Sequence, residues 1–233
     1  MTTIWTHRGD GIENSLAAFQ SAWNKNVRHF ETDIHLTRDG QLVLSHDPNI
    51  FRLTGIRKDI HEIDFNELQQ FPISGLEPWA LVDELVHSFP TATISIDVKT
   101  SNALPAMIDW LNQQKNRSRF VVGSFNSKRI LRIRDEFKDI TTALTANELL
   151  KLKMGNRDSV AKLNRSIFAM LPLRFYNLKV LTDRLQETLL RQQIPIHIWT
   201  LNSVDDFQAV KNLNIDGVVT DDIDLASKFF TNT

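Results

Sequence analysis

Apolar positions along the chain switch repeatedly between two periods. Short apolar or alternating runs fall at residues 4–7, 29–37, 93–99, 120–125, 141–144, 166–171, 194–201 and 217–220, the pattern of half-buried and buried strands. Between most of them apolar residues recur at helical spacing. In residues 13–25 these are Leu16, Phe19, Ala22 and Trp23, and in residues 127–137 they are Ile130, Ile133 and Phe137. Residues 104–114, 181–192, 204–213 and 223–230 read as helices in the same way. A further extended run, residues 41–46, follows Asp39-Gly40. That tight-turn dipeptide predicts a local hairpin with the second strand.

Eight core strands mostly alternating with helices predict a parallel sheet. Within 233 residues, eight such units suit a single (β/α)8 TIM barrel. A doubly wound open sheet is the competing fold. Its dinucleotide fingerprint is missing, because the turn after the first strand carries only Gly9 and Gly11 and no third glycine opens the helix. No Walker-type phosphate loop occurs either.

Composition narrows the function. With 42% hydrophobic and 24% charged residues, the chain is of ordinary globular type. Its 27 basic and 28 acidic residues nearly cancel, which removes the broad positive footprint of a nucleic-acid binder. The absence of cysteine excludes disulfides, thiolate metal ligands and cysteine nucleophiles. The first residues lack a basic segment followed by an apolar run. No stretch approaches the ~20 apolar residues of a membrane span. The expectation is a cytoplasmic protein with no stable membrane insertion.

Polar residues gather at the ends of the predicted strands. His7 and Arg8 end the first. Glu31 and Asp33, two apart on the second, share one face. His46 and Asp47 end the hairpin strand. Asp97 and Lys99 end the next, Trp199 ends the seventh, and Asp221 follows the last. Strand C-termini of a barrel converge on one mouth, where barrel enzymes hold their active sites. Glu31, Asp33 and Asp97 form an oxygen-rich set suited to a hard divalent cation. His7 and His46 suit general acid–base work. Arg8 and Lys99 suit a phosphate. Together these are the tools for cleaving a phosphodiester.

More of the chain fits one pattern. His7-Arg8-Gly9, Glu13-Asn14-Ser15 with Ala18-Phe19, Glu31-Thr32-Asp33, Leu36-Thr37-Arg38-Asp39-Gly40 and His46-Asp47 stand in that order. Arg52-Leu53-Thr54-Gly55, Ser124-Phe125-Asn126, Trp199-Thr200-Leu201-Asn202 and Asp216-Gly217-Val218-Val219-Thr220-Asp221 follow. In combination they resemble the glycerophosphodiester phosphodiesterase family over essentially the whole chain. The resemblance implies one barrel domain, with a small insertion at about residues 48–90. It implies hydrolysis of a small glycerophosphodiester to sn-glycerol 3-phosphate and an alcohol. One divalent cation, Mg²⁺ or Ca²⁺ with Mn²⁺ as a third candidate, would sit on Glu31, Asp33 and Asp97. His7 and His46 would be the acid–base pair. The neighbouring glycerol hydroxyl would attack phosphorus, and water would then open the cyclic phosphate. Arg8 and Lys99 would neutralise the phosphoryl oxygens, Trp199 would form an apolar wall, and Glu13 would lie near the metal or the glycerol.

Three features depart from the family pattern. Asp97 stands where a glutamate is usual, one methylene shorter. Ser15 replaces a threonine and keeps the hydroxyl. The loop between Gly9 and Glu13 is short, which implies a more open glycerol pocket. Two other functions compete. One is a related phosphodiesterase for lysophospholipids, which needs an apolar groove from Ile50, Phe51, Leu53, Phe71, Leu76 and Trp79. The other is a binding barrel with feeble catalysis, supported only by Asp97. Among the remaining aromatic residues, His35 reads as a hairpin-packing residue and His197 as a hydrogen-bonded core histidine. Phe229 and Phe230 read as part of a helix that seals the barrel, and Trp79 reads equally as mouth or core.

Overall fold

The computed structural model describes residues 2–155, 166–176 and 178–230. Eight parallel strands close into a barrel. In order around it they are β1 (Thr3–His7), β2 (His29–Leu36), β4 (Thr93–Val98), β5 (Phe120–Gly123), β6 (Thr141–Ala143), β7 (Ile167–Pro172), β10 (Ile196–Trp199) and β11 (Gly217–Thr220). β11 pairs back onto β1 and β1 onto β2, which completes the ring. β3 (Leu42–Leu44) pairs antiparallel with β2 outside the ring, as the Asp39-Gly40 turn predicts. The closed barrel, rather than the open sheet, is the fold.

Side-chain alternation separates two apolar layers. Outward residues such as Phe30, Ile34, Ile94, Ile96 and Val98 pack under the helices. A second outer core gathers Ala169, Leu171, Ile196, Ile198, Phe207 and Phe230. The last helix, Ile223–Phe230, therefore seals the barrel, and Phe229 stacks on Phe207. Inward residues form a small separate floor. Trp5, Val121 and Val219 are buried there, with Phe168, Met170 and Trp199 packed on them.

The predicted helices appear with ends set by capping. The first runs Leu16–Asn24 rather than from residue 13. Asn14 has φ of 60°, outside helical geometry, and the Ser15 hydroxyl accepts from Ala18 N–H as the N-cap, a role a serine fills as well as a threonine. The short helices of the insertion and one helix of the barrel's outer layer carry no clear periodic signal. Ala146–Lys153 begins with a capping box between Thr145 and Glu148, a signal present in the sequence. Its Glu148 is buried and paired with the buried Arg134.

The segment between β3 and β4 carries short helices and a core of its own, with Ile50, Ile60, Leu68, Ile73 and Trp79 all buried. Trp79 donates its indole N–H to Phe71 O at 2.7 Å, so it packs and does not line the mouth. His197 departs from its sequence reading. It is buried, yet neither ring nitrogen has a hydrogen-bond partner among the described residues. It stacks on Phe168 at 4.8 Å and meets Trp5 edge-on at 5.5 Å. The aromatic floor holds it by ring packing, and burial pushes its pKa down to about 4. Gly217 makes this placement feasible, since a Cβ there would lie 2.4 Å from the His197 ring nitrogen.

Candidate active site

Parallel register builds the site. His7 on β1 lies level with Glu31 on β2, and Asp33 on β2 lies level with Asp97 on β4. The strands end here, so these inward side chains stand at the mouth, one layer above the aromatic floor. The loop after β1 turns back at once. Arg8 adopts φ of 63°, an unusual left-handed backbone for a residue with a Cβ. Gly9 follows at φ 96°, where a Cβ would meet Ala18 at 2.5 Å. Arg8 N–H donates to Glu31 O, and Asn14 N–H donates to Arg8 O. The Asn14 side chain, fully buried, accepts from Thr32 Oγ1 at 2.8 Å. Asn14 thus ties the loop to β2, and with it the placement of Glu13 and Arg8.

The structure brings eight of the predicted residues into one polar network and places Trp199 at its edge. His7 Nδ1 lies 2.7 Å from Asp221 Oδ1, and its Nε2 lies 3.8 Å from Glu31 Oε2. A carboxylate can only accept, so Nδ1 carries the proton and Nε2 is left free toward the site. His46 repeats the arrangement, with Nδ1 2.7 Å from Asp47 Oδ1. Ser45 N–H donates to Asp33 O, which seats His46 beside β2. His35 is buried beneath it, with Nε2 3.2 Å from His46 O, and so packs the hairpin as expected. Burial opposes the charge of Asp221, but His7 and then Asn202 outweigh it and hold the carboxyl below its ordinary value. Burial likewise opposes Asp47, and His46 with Arg52 hold it below the usual range.

The cations hold carboxylates here. Lys99 Nζ lies 2.7 Å from both Asp33 Oδ1 and Asp97 Oδ2. Burial pulls its pKa down, but Asp97 and Asp33 more than compensate and keep it raised. Arg8 Nε lies 2.9 Å from Asp33 Oδ2 without a well-directed hydrogen bond, and Arg8 Nη1 lies 3.7 Å from Glu13. Arg52 grips Glu13 with both terminal nitrogens and Asp47 through Nε. Sequence reading gave Asp47, Arg52 and Asn202 no role, although each stands within a quoted motif. Trp199 meets Phe125 edge-on at 6.0 Å, and Lys99 lies 5.6 Å from the Phe125 ring centre.

Among the described residues, three buried carboxylate oxygens accept no well-directed hydrogen bond: Glu31 Oε2, Asp97 Oδ1 and Asp33 Oδ2, the last held by Arg8 as an ion pair. Burial, then Asp33 and Asp97, push the Glu31 carboxyl well above its ordinary value. Burial raises Asp97 too, against the pull of Lys99. Orphaned hard oxygens in a buried, carboxylate-crowded site are the donor set a divalent cation takes. These three acids fit one, although they stand apart with Lys99 between two of them. Among the described residues, the three donor atoms that already lie within 4.8 Å of one another belong to Asp59, His61 and Glu62 on the insertion surface. A cleft of about 470 Å³ opens beside the network, lined by His7, Arg8, Glu13, Leu53, Ser74 and Asp221.

Comparison with known proteins agrees with this fold. The glycerophosphoryl diester phosphodiesterase family model matches residues 6–225. A probable glycerophosphodiester phosphodiesterase 2 of Mycobacterium tuberculosis is 25% identical, covering 91% of this chain and 83% of its own. A lysophospholipase D of Mus musculus is 26% identical, with 93% and 82% covered. A crystal structure of a glycerophosphodiester phosphodiesterase from Thermotoga maritima superposes with a TM-score of 0.78 at 25% identity, covering 98% of each chain. With its barrel and nearly its full length matched, this chain belongs to the glycerophosphoryl diester phosphodiesterase family, a family of phosphoric diester hydrolases.

Proposed function

We propose that the protein hydrolyses glycerophosphodiesters to sn-glycerol 3-phosphate and an alcohol, in a metal-dependent reaction with His7 and His46 as the acid–base pair. The observation that carries this reading is the pair of carboxylate-held histidines beside three carboxylates with orphaned oxygens. Glu31, Asp33 and Asp97 would hold one divalent cation, Mg²⁺ or Ca²⁺ in first place. When bound, it supplies charge neutralisation at the phosphoryl group.

The chain's own residues do the rest. One histidine takes the proton of the glycerol 2-hydroxyl as that oxygen attacks phosphorus. The other gives a proton to the departing alcohol oxygen. The roles then reverse as water opens the cyclic phosphate. The nucleophile is built into the substrate, so catalysis rests on positioning and proton transfer. Asp221 and Asp47 fix the ring orientation that leaves each Nε2 free. Arg8 and Lys99, which hold carboxylates in the free site, would turn to phosphoryl oxygens as charge builds. Glu13, gripped by Arg52, faces the cleft that would take the glycerol.

A lysophospholipid substrate is the second reading. Phe51 is 47% and Leu76 is 75% exposed on the insertion, while Ile50 and Trp79 are buried and leave no groove of all six residues. Incubation of the full chain with glycerophosphocholine and Mg²⁺ should release choline and sn-glycerol 3-phosphate. The analogue with a methylated glycerol 2-hydroxyl should stay intact. Failure to cleave glycerophosphocholine or glycerophosphoethanolamine with Mg²⁺, Ca²⁺ or Mn²⁺ would overturn the leading reading. Cleavage of the methylated analogue would overturn the internal attack.

A further inference from the structure

β7 ends at Pro172 on the mouth side of the barrel. The chain then forms a small antiparallel ladder, β8 (Arg174–Phe175) against β9 (Leu178–Lys179). The base of this finger is fixed. Leu173 N–H donates to Trp199 O at 3.0 Å, Val180 N–H donates to Leu173 O at 3.4 Å, and Val180 is buried. Beyond the base its tip stands open among the described residues. Phe175 is 64%, Tyr176 88% and Leu178 74% exposed. Phe175 and Tyr176 meet edge-on at 4.9 Å. Arg174 and Lys179 pair across the ladder register, both exposed. Neither has an acidic partner among the described residues.

A contiguous exposed apolar group of this kind marks a contact surface. Its composition identifies the contact. Aromatic rings and a leucine at the tip, with exposed cations just behind them, match the layering of a phospholipid surface. Apolar side chains enter the acyl boundary, and basic groups meet the phosphates. A ladder of two residues per strand is too short to serve as a template for strand addition by a protein partner. The finger also leads to the site. Its base bonds to Trp199, whose ring meets Phe125, and Phe125 lies beside Lys99.

We propose that the finger docks the enzyme on an anionic phospholipid surface, with Phe175, Tyr176 and Leu178 entering the headgroup layer and Arg174 and Lys179 engaging lipid phosphates. The mouth then faces the membrane, where lipid-derived phosphodiesters are presented. Docking goes beyond the proposed hydrolysis and is read without turnover, so either can fail alone.

Sedimentation of the full chain with sucrose-loaded vesicles tests it. On vesicles of equal parts phosphatidylcholine and phosphatidylglycerol the protein should pellet, and at least roughly 10-fold less well on phosphatidylcholine alone. The triple variant Phe175→Ser, Tyr176→Ser, Leu178→Ser should bind the mixed vesicles about 10-fold more weakly or worse. Its turnover of soluble glycerophosphocholine should match that of the wild type. The variant Arg174→Gln, Lys179→Gln should lose the preference for anionic lipid. If the triple variant loses soluble turnover, the charge variant decides alone. A wild type that stays in the supernatant overturns the proposal, as do variants that pellet like the wild type. A wild-type dimer that the triple substitution breaks, without vesicle binding, would instead make the finger a self-association contact.

Discussion

The inward faces of the same strands carry two layers with opposite chemistry. At the mouth stand His7, Glu31, Asp33, Asp97 and Trp199. One layer deeper, two residues back on their strands, stand Trp5, His29 and His197. The contrast is sharpest between His7 and His197. His7 has a carboxylate 2.7 Å from Nδ1 and a free Nε2 at the cleft. His197 is stacked on Phe168 with neither nitrogen bonded, and burial drives its pKa to about 4. A barrel interior therefore decides what an imidazole does. A partner carboxylate and access to the cleft suit a ring to the proposed proton transfer, and an apolar ring stack makes a neutral filler. The acids proposed to hold the cation, Glu31, Asp33 and Asp97, obey the same division. Their orphaned oxygens are tolerable only where an ion or substrate can reach them.

Breaking the upper layer should have the largest effect. His7→Ala or His46→Ala should lower kcat by roughly 10²- to 10⁴-fold, with thermal stability near that of the wild type. Steady-state kinetics and a melting curve check this together, and wild-type turnover in either variant would remove the assignment.

Breaking the lower layer should leave kcat alone and change the response to acid. The folded state keeps His197 neutral down to about pH 4, whereas an unfolded histidine takes its proton near its ordinary value of 6.5. Its contribution to stability is whole above pH 6.5 and is lost as pH falls toward 4. At the acid end the loss is about 3 kcal/mol by linkage. His197→Leu should flatten that limb by a similar amount in urea titrations run across the window, with kcat unchanged. An unaltered acid limb would mean the ring is not held neutral.

A smaller effect should follow from loosening the mouth histidines without removing them. Asp221→Asn or Asp47→Asn keeps shape but swaps an acceptor for a group that can also donate. Each should lower kcat by about 10-fold, with little change in KM. A shift in KM alone would instead mark these acids as substrate contacts.

The upper layer was largely legible in the sequence because strand ends fix it. Glu31 and Asp33 share a face by their spacing. Parallel register sets His7 beside Glu31 and Asp33 beside Asp97 once the barrel is assumed. The pairings that tune them were not legible. That Lys99 bridges Asp33 and Asp97, or that Arg52 reaches from the insertion to both Glu13 and Asp47, depends on side-chain torsions and a loop path with no periodic signal. His197 was misread for a related reason. A buried histidine is expected to find a hydrogen bond, and only the placement of Phe168 and Trp5 shows that this one is held by stacking. The finger after β7 was missed because two-residue strands carry no alternation, and its tip turns at Tyr176 with φ of 51° rather than at a glycine.

The proposed chemistry makes the mouth a metal-dependent phosphodiester site. Its most direct test is the rate of sn-glycerol 3-phosphate release from glycerophosphocholine by the chelator-treated full chain, before and after Mg²⁺ is added. The account predicts essentially no release before addition and sustained turnover after it, with Glu31→Gln silent throughout. Turnover indifferent to the chelator, or undiminished in Glu31→Gln, would contradict it.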